Sequence, residues 1–269
     1  MRLFMAGLRK LVRRPATWVT FALLVGLLLL IFVAVGASAR QAAATEGGRN
    51  ALLLVTFPGA YTFVVSFILG LGGLLAVIYG AAVAGSEWSW GTLKNAVARG
   101  ESRSRYVLLT FASLALILGV GLILAFVIGI LGAIVGAVLA GVSTSGVSDT
   151  ASLRNLPEQL ARGWLALLEQ AALGFTIATL TRSQLAGIGV GIGVYFGEQF
   201  AGIFLPDIVK YLPFDAANAV INTSGLGSNG AAAAARALSP DLALIVVVAW
   251  LVGSLAVTAL FTERAEISG

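Results

Sequence analysis

The sequence predicts an all-α polytopic membrane protein, and the prediction rests on its composition and its apolar runs. Hydrophobic residues make up 59% of the 269 residues and charged residues 11%. A soluble domain is roughly 45–50% apolar and about 25% charged, so this chain is too apolar for a soluble fold. Its apolar residues fall in runs of about 20 or more, the length that a helix needs to cross a bilayer. We therefore expect one membrane domain, 1–269, with six transmembrane helices.

The chain opens with a basic segment, residues 1–14, that has the pattern of an amphipathic helix. Apolar residues such as Phe4 and Leu8 recur at helical spacing, with arginine and lysine mostly on the opposite side. Such a helix lies in the headgroup layer, with the lipid bilayer as its partner. Pro15 suits a break before the first span, which is predicted at 17–38.

The other spans are predicted from apolar runs and from the polar residues that interrupt them. Glycines between positions 187 and 197 favour close packing of the fifth span against its neighbours. A moderately apolar connection at 206–240, with an alanine run at 231–235, precedes the last span. The predicted spans after the first are 59–84, 106–141, 160–180, 185–205 and 242–261.

The third run, Tyr106 to Gly141, leaves two alternatives open. Its 36 residues carry no charge, and as one helix they would be about 54 Å long against a hydrocarbon core of roughly 30 Å. Two short spans would give seven crossings, which the distribution of lysine and arginine mildly favours. However, the run supplies no polar turn for backbone groups that lipid leaves unsatisfied. We therefore expect one long helix and six crossings.

The absence of certain residue types limits the reactions that the chain could catalyse and the metals that it could bind. The sequence has no Cys and no His, so it lacks thiol nucleophiles, imidazole bases and the usual zinc ligands. Its three lysines, Lys10, Lys94 and Lys210, do not stand in a G-x-x-x-x-G-K-[ST] loop. The net charge of +5 comes from basic residues that flank apolar segments, where they set topology. We expect no enzyme activity, no catalytic residue, no metal site and no nucleic-acid partner.

The polar segment 85–105 lies between the second and third spans, on the same side of the membrane as the N-terminus. Its apolar stripe at spacing i, i+3, i+7 consists of Trp90, Leu93 and Val97. Glu87 and Lys94 fall on another stripe of the same expected helix. Such a helix could rest on the membrane interface and offer its polar side to a soluble partner. The alternative is an interfacial helix that has no partner.

This segment resembles the cytoplasmic segment of the permeases of type-2 ABC exporters. In that family the second span runs into the pattern E-x-x-x-G-T-[LK]-[RK], followed by a basic, small-residue stretch. The present sequence has EWSWGTLK from Glu87 to Lys94, and then ARGESRSR up to Arg105. It departs from the family at Gly100, where proline is frequent, and at Thr110, where a lysine often begins the third span.

The resemblance implies the membrane-spanning permease subunit of an ATP-binding-cassette exporter in a prokaryotic cytoplasmic membrane, with a cytoplasmic N-terminus. It implies as partners two copies of a separate ATPase subunit and a second permease copy, identical or related. ATP and Mg²⁺ would bind to the ATPase, so this chain would hold no cofactor. The resemblance assigns the segment 85–105 as a coupling helix, with these coupling residues: Glu87, Trp90, Gly91, Thr92, Lys94, Arg99 and Arg103.

Four polar residues inside the spans are candidates for a translocation path. Glu169 and Gln170 lie near the middle of the fourth span, and Glu198 and Gln199 lie in the outer part of the fifth. A carboxyl group within a membrane marks a functional site by default, although a protonated glutamate bonded to a neighbouring helix is the alternative for Glu169. A proton-coupled secondary transporter that uses Glu169 and Glu198 is therefore the alternative function.

Overall fold

The computed structural model describes residues 2–42, 46–221 and 238–265, and within these ranges it contains helices and no strand. The all-α prediction is confirmed. The alanine run at 231–235 lies outside the described residues. The α-helices are α1 (Arg2–Val12), α2 (Pro15–Ala42), α3 (Glu46–Leu52), α4 (Gly59–Ser89), α5 (Thr92–Ala98), α6 (Arg103–Ala140), α7 (Thr150–Thr181), α8 (Gln184–Phe204), α9 (Pro206–Val209), α10 (Pro213–Ala219) and α11 (Pro240–Arg264).

Five of the described helices are long and apolar enough to cross a membrane, namely α2, α4, α6, α7 and α11. The chain is thus a multi-pass membrane protein with at least these five candidate spans. The fifth predicted span corresponds to α8, which has 21 residues but is not among the five. Its polar residues, including Glu198 and Gln199, and its many glycines lower the mean hydropathy of this helix.

The long apolar run forms one uninterrupted helix. Helix α6 has 38 residues, which corresponds to about 57 Å and exceeds the hydrocarbon core by more than 20 Å. It ends at Gly141, whose φ of 70° lies in the left-handed region. Of the two alternatives for this run, the structure has the single long helix.

The segment 85–105 is not one helix, so the predicted continuous stripe is wrong. Helix α4 continues through Glu87 to Ser89, and Gly91 then interrupts the helix with a φ of 64°. A left-handed glycine is a common way to end a helix because it carries no Cβ. Helix α5 is therefore only seven residues long, and Glu87 and Lys94 lie on different helices. Trp90 is 63% exposed whereas Leu93 is buried, so these two residues do not share a face.

Close contact between α4 and α7 forms the centre of the bundle. A Cβ atom added at Gly80 would lie 2.2 Å from the backbone oxygen of Ala171, and one added at Gly174 would lie 2.1 Å from that of Val77. The two backbones therefore touch, as small residues allow in membrane helices.

The glycines of α8 divide into two sets. Gly187 and Gly191 face α7 and α4, since a Cβ at either position would overlap Ala178 or Val77. Gly189, Gly193 and Gly197 have open space around them. The predicted close packing thus holds for the i, i+4 pair at 187 and 191.

We predict that Gly174→Ala lowers the melting temperature (Tm) of the purified protein, because the added methyl group meets backbone atoms that cannot rotate away. Overpacking of this kind costs about 1–3 kcal/mol. Gly193→Ala is the matched control: it adds the same methyl group in the same kind of helix, in open space. Its Tm should be equal to or above that of the wild type, since alanine favours helix. Equal Tm values for the two variants would contradict the close contact.

Candidate functional site

A buried carboxylate near the end of α4 organises one end of the bundle. Glu87 is only 3% exposed. Its Oε1 accepts a hydrogen bond from Lys10 Nζ at 2.6 Å and lies 3.5 Å from Arg14 Nη2. Lys10 belongs to α1, and Arg14 lies in the short connection between α1 and α2. Two cations from the N-terminal region therefore balance one carboxylate of α4.

The second oxygen of the same carboxylate binds two hydroxyl groups. Tyr106, in the first turn of α6, donates its hydroxyl to Glu87 Oε2 at 2.7 Å. The hydroxyl of Thr92, at the start of α5, donates to the same oxygen and lies 3.2 Å from the backbone oxygen of Glu87. We call these five residues the Glu87 cluster: Glu87, Lys10, Arg14, Thr92 and Tyr106. The cluster joins α1, α4, α5 and α6.

Further contacts fix the position of the connection between α1 and α2. The guanidinium group of Arg14 lies 4.9 Å from the ring centroid of Trp90, a favourable cation–π distance. The hydroxyl of Thr17 lies 2.6 Å from the backbone oxygen of Leu11 and 2.6 Å from the hydroxyl of Tyr79 in α4. The N-terminal helix is thereby held against α4 as well as against Glu87.

The sequence interpretation placed the basic residues of α1 in the lipid headgroups and did not identify Lys10 or Arg14 as partners of Glu87. The sequence does contain a signal for such partners, namely a glutamate at the end of an apolar span. A carboxylate in that place needs a compensating charge when it is buried. Which of the basic residues supplies that charge depends on how α1 folds back over α4. This packing joins residues 77 and 73 positions apart in the chain.

The outer side of α5 is exposed and polar. Lys94, Asn95 and Arg99 are exposed, whereas Leu93 and Ala96 are buried against the bundle. Arg99 Nε donates a hydrogen bond to the backbone oxygen of Asn95 at 3.0 Å. We call Trp90, Lys94, Asn95 and Arg99 the α5 outer face. Helix α5 thus has an apolar side that is packed on the protein and a basic side that is open to the surroundings.

The remaining arginine that the resemblance assigns to coupling, Arg103, binds the end of the last helix. Its Nη1 donates to the backbone oxygen of Ala265 at 2.6 Å, and the neighbouring Ser104 hydroxyl contacts the carboxylate of Glu263. At the turn between α7 and α8, the guanidinium group of Arg182 lies 5.1 Å from the ring centroid of Trp88. The ends of α4, α6, α7 and α11 therefore meet beside the Glu87 cluster.

The polar residues of the fourth predicted span are deeply buried in α7. Glu169 is 0% exposed, and neither of its carboxyl oxygens has a hydrogen-bond partner within the described part of the chain. Gln170 packs directly on Gly73 of α4, where a Cβ atom would lie 1.8 Å from Gln170 Oε1. The absence of a side chain at Gly73 therefore makes room for Gln170.

The other two candidates for a translocation path have different surroundings. Glu198 Oε2 accepts hydrogen bonds from the backbone N–H groups of Phe214 at 2.9 Å and Asp215 at 3.2 Å. It therefore caps the N-terminus of α10, as side-chain acceptors do for free helical N–H groups. Gln199 is exposed on the outside of α8. No hydrogen bond joins Glu169 to Glu198 in the described ranges.

The described residues contain no group of three or more His, Cys, Asp or Glu side chains that could hold a metal ion. The candidate site consists of the ion pairs and hydrogen bonds described above, at the ends of the helices.

We predict that Glu87→Ala lowers Tm substantially, because Lys10 and Arg14 would then face each other without their carboxylate. Loss of a charged hydrogen-bond partner at a buried site costs about 1–3 kcal/mol. Glu158→Ala is the control, since Glu158 pairs with Arg162 on the surface and its side chain is 65% exposed; such pairs contribute little. A Tm for Glu87→Ala within error of that control would contradict the role given to the cluster.

Comparison with known proteins gives one family match and no match among curated proteins. The matched residues are 45–264, which comprise α3 to α11 and leave α1 and α2 outside the match. The match covers well over half of the chain. The chain therefore belongs to the family described as protein of unknown function (DUF2705).

Proposed function

We propose that the chain is the permease subunit of an ATP-binding-cassette exporter, acting as a pair of permeases with a pair of separate ATPase subunits. The ATPase subunits bind ATP and Mg²⁺ and supply the energy. The permease lies in a prokaryotic cytoplasmic membrane with its N-terminus and α5 on the cytoplasmic side. The proposal is supported by the EWSWGTLK motif and by the position of α5 at the ends of two candidate spans.

The single observation that carries the proposal is the way in which the Glu87 cluster holds α5. Force applied to a helix can move distant spans only if contacts between the helix and those spans stay intact as the helix moves. Thr92 of α5 and Tyr106 of α6 bind the same carboxylate oxygen of α4, and Leu93 of α5 is itself buried. Movement of α5 is therefore passed to α4, α6 and α1 together.

The α5 outer face supplies the contact surface for the ATPase subunit. It presents positive charge next to an exposed tryptophan, and residues of these two kinds, Arg99 and Trp90, are enriched where proteins bind one another. In this proposal the coupling helix consists of α5 alone. Glu87 is then a positioning residue buried beneath the contact, because the break at Gly91 separates it from the outer face.

The proposal includes α8 as a sixth span. Its outward side carries large apolar residues, with Leu185 81% exposed and Phe200 and Phe204 also exposed. Such a surface is expected to face lipid. With α8 counted, the chain crosses the membrane six times. Because six is an even number, α11 ends on the side of the membrane from which α2 starts.

We predict that the double charge reversal Lys94→Glu/Arg99→Glu weakens capture of the partner ATPase. The full-length chain would be co-expressed with Walker-motif ATPases encoded by neighbouring reading frames and isolated in mild detergent. We expect recovery of the ATPase to fall at least tenfold, or about 1.4 kcal/mol, with membrane insertion unchanged. Arg154→Glu is the control, because it reverses the charge of an exposed residue in the first turns of α7. It should leave recovery of the ATPase unchanged. Equal recovery with wild type and the double variant would contradict the proposal.

A second candidate, a proton-coupled secondary transporter, is favoured by one observation: Glu169 is buried with both oxygens unpartnered among the described residues. Such a carboxyl group could take up and release a proton during transport. Glu198 caps α10 through Oε2, while its Oε1 is also buried without a partner among the described residues.

The two candidate functions make opposite predictions for proton movement across the membrane of vesicles that contain the purified protein. A proton-coupled transporter should dissipate an imposed pH gradient without ATP, and Glu169→Gln should abolish that flux. The exporter proposal predicts that wild type and Glu169→Gln show the same slow leak. A pH-sensitive dye inside the vesicles measures both rates. A flux that depends on Glu169 would overturn the exporter proposal.

A further inference from the structure

An apolar cavity of 310 Å³ lies among the helices, and neither Glu169 nor Glu198 lines it. Helices α1, α2, α4, α6 and α7 contribute its walls. The lining includes Leu8 and Val12 of α1, Thr17 and Trp18 at the start of α2, and Gly121 of α6. Its volume is within the range of pockets that hold small ligands.

The cavity is elongated along α2 and α6, and the hydroxyl groups in its lining are already hydrogen-bonded. Along α2 its lining extends from Thr17 to Leu24, and along α6 it extends from Leu116 to Leu124, which corresponds to about 10–12 Å of helix. The hydroxyl of Thr17 contacts Leu11 and Tyr79, and that of Thr20 bonds within its own helix. The walls therefore suit a hydrocarbon chain.

Two arginines of the N-terminal region lie next to cavity-lining residues in the sequence. Arg9 and Arg13 are exposed and directly follow the lining residues Leu8 and Val12. Within the described ranges, neither arginine forms an ion pair with a carboxylate. Trp18 lines the same end and donates its indole N–H to the backbone oxygen of Val12 at 2.9 Å. Tryptophan and arginine beside an apolar surface are typical of headgroup depth.

We propose that this cavity binds one acyl chain of an anionic phospholipid from the adjacent leaflet, with the lipid phosphate held by Arg9 and Arg13. The apolar walls select the chain, and the two arginines select the negative headgroup. The bound lipid fills the space between α1 and α2 on one side and α4 and α6 on the other. It thereby supports the position of α1, and with it Lys10 and Arg14, whose side chains pair with Glu87. This site does not depend on the exporter proposal.

The test uses the full chain, purified in detergent, exposed to equal amounts of phosphatidylglycerol and phosphatidylcholine, and examined by native mass spectrometry. Wild type should retain one phosphatidylglycerol in preference to phosphatidylcholine. Gly121→Phe fills the cavity, where a Cβ meets only Phe21 at 4.0 Å, and should abolish retention. Gly26→Phe is the matched control, because Gly26 is exposed on α2 with nothing within 4 Å of an added Cβ. It should retain the lipid as wild type does.

A second variant tests the headgroup separately and leaves the cavity intact. Arg9→Gln/Arg13→Gln should reduce the preference for phosphatidylglycerol by about 25-fold. Each basic residue near an anionic surface raises the binding constant about fivefold. Arg154→Gln should leave the preference unchanged. The proposal is overturned if wild type shows no preference between the two lipids, or if Gly121→Phe retains phosphatidylglycerol as Gly26→Phe does. An unchanged preference in the double arginine variant would also overturn it, even if Gly121→Phe fails to fold.

Discussion

A carboxylate that keeps its charge while buried at the end of a membrane span needs compensating groups around it, and this constraint shapes one end of the molecule. Glu87 meets it with Lys10 and Arg14, and with the hydroxyl groups of Thr92 and Tyr106. Removing an ion from water costs several kcal/mol unless such partners are present. The N-terminal helix, the short α5 and the start of α6 consequently share one buried carboxylate as a common contact.

The rest of the bundle depends on close approach of backbones, since lipid offers no hydrophobic force that would press helices together. Gly80 and Gly174 bring α4 and α7 into backbone contact, and Gly73 leaves room for Gln170. Helix α4 therefore has a closely packed neighbour and carries Glu87 near its end. In the exporter proposal, movement of α5 would pass into this pair of helices.

Much of the fold could be predicted from the sequence because apolar runs of spanning length have few alternatives in a membrane. The bounds of α2, α4, α6, α8 and α11 follow those runs closely. Helix α7 begins about ten residues before its predicted span, since Asp149 caps a polar first section that hydropathy does not detect. The break at Gly91 could not be derived from periodicity, because a left-handed glycine leaves no mark in an apolar stripe.

Of the Glu87 cluster, the sequence motif singled out only Glu87 and Thr92. Glu87 and Thr92 do meet, as members of one motif, but the cations that bind Glu87 come from a helix that sequence patterning placed among lipid headgroups. Long-range pairs of this kind follow from packing and not from spacing. Glu198 shows the same limit: a carboxyl group that resembled a transport residue caps the N-terminus of α10.

Hydrogen–deuterium exchange of wild type and Glu87→Gln in lipid nanodiscs tests most directly whether this carboxylate holds α1 and α5 to the spans. Glutamine keeps the size of the side chain and removes the charge that Lys10 and Arg14 neutralise. We expect faster exchange in Arg2–Val12 and Thr92–Ala98, with exchange in Pro213–Ala219 unchanged. Identical exchange in α1 and α5 of the two proteins would show that Glu87 does not hold them, and the account would be wrong.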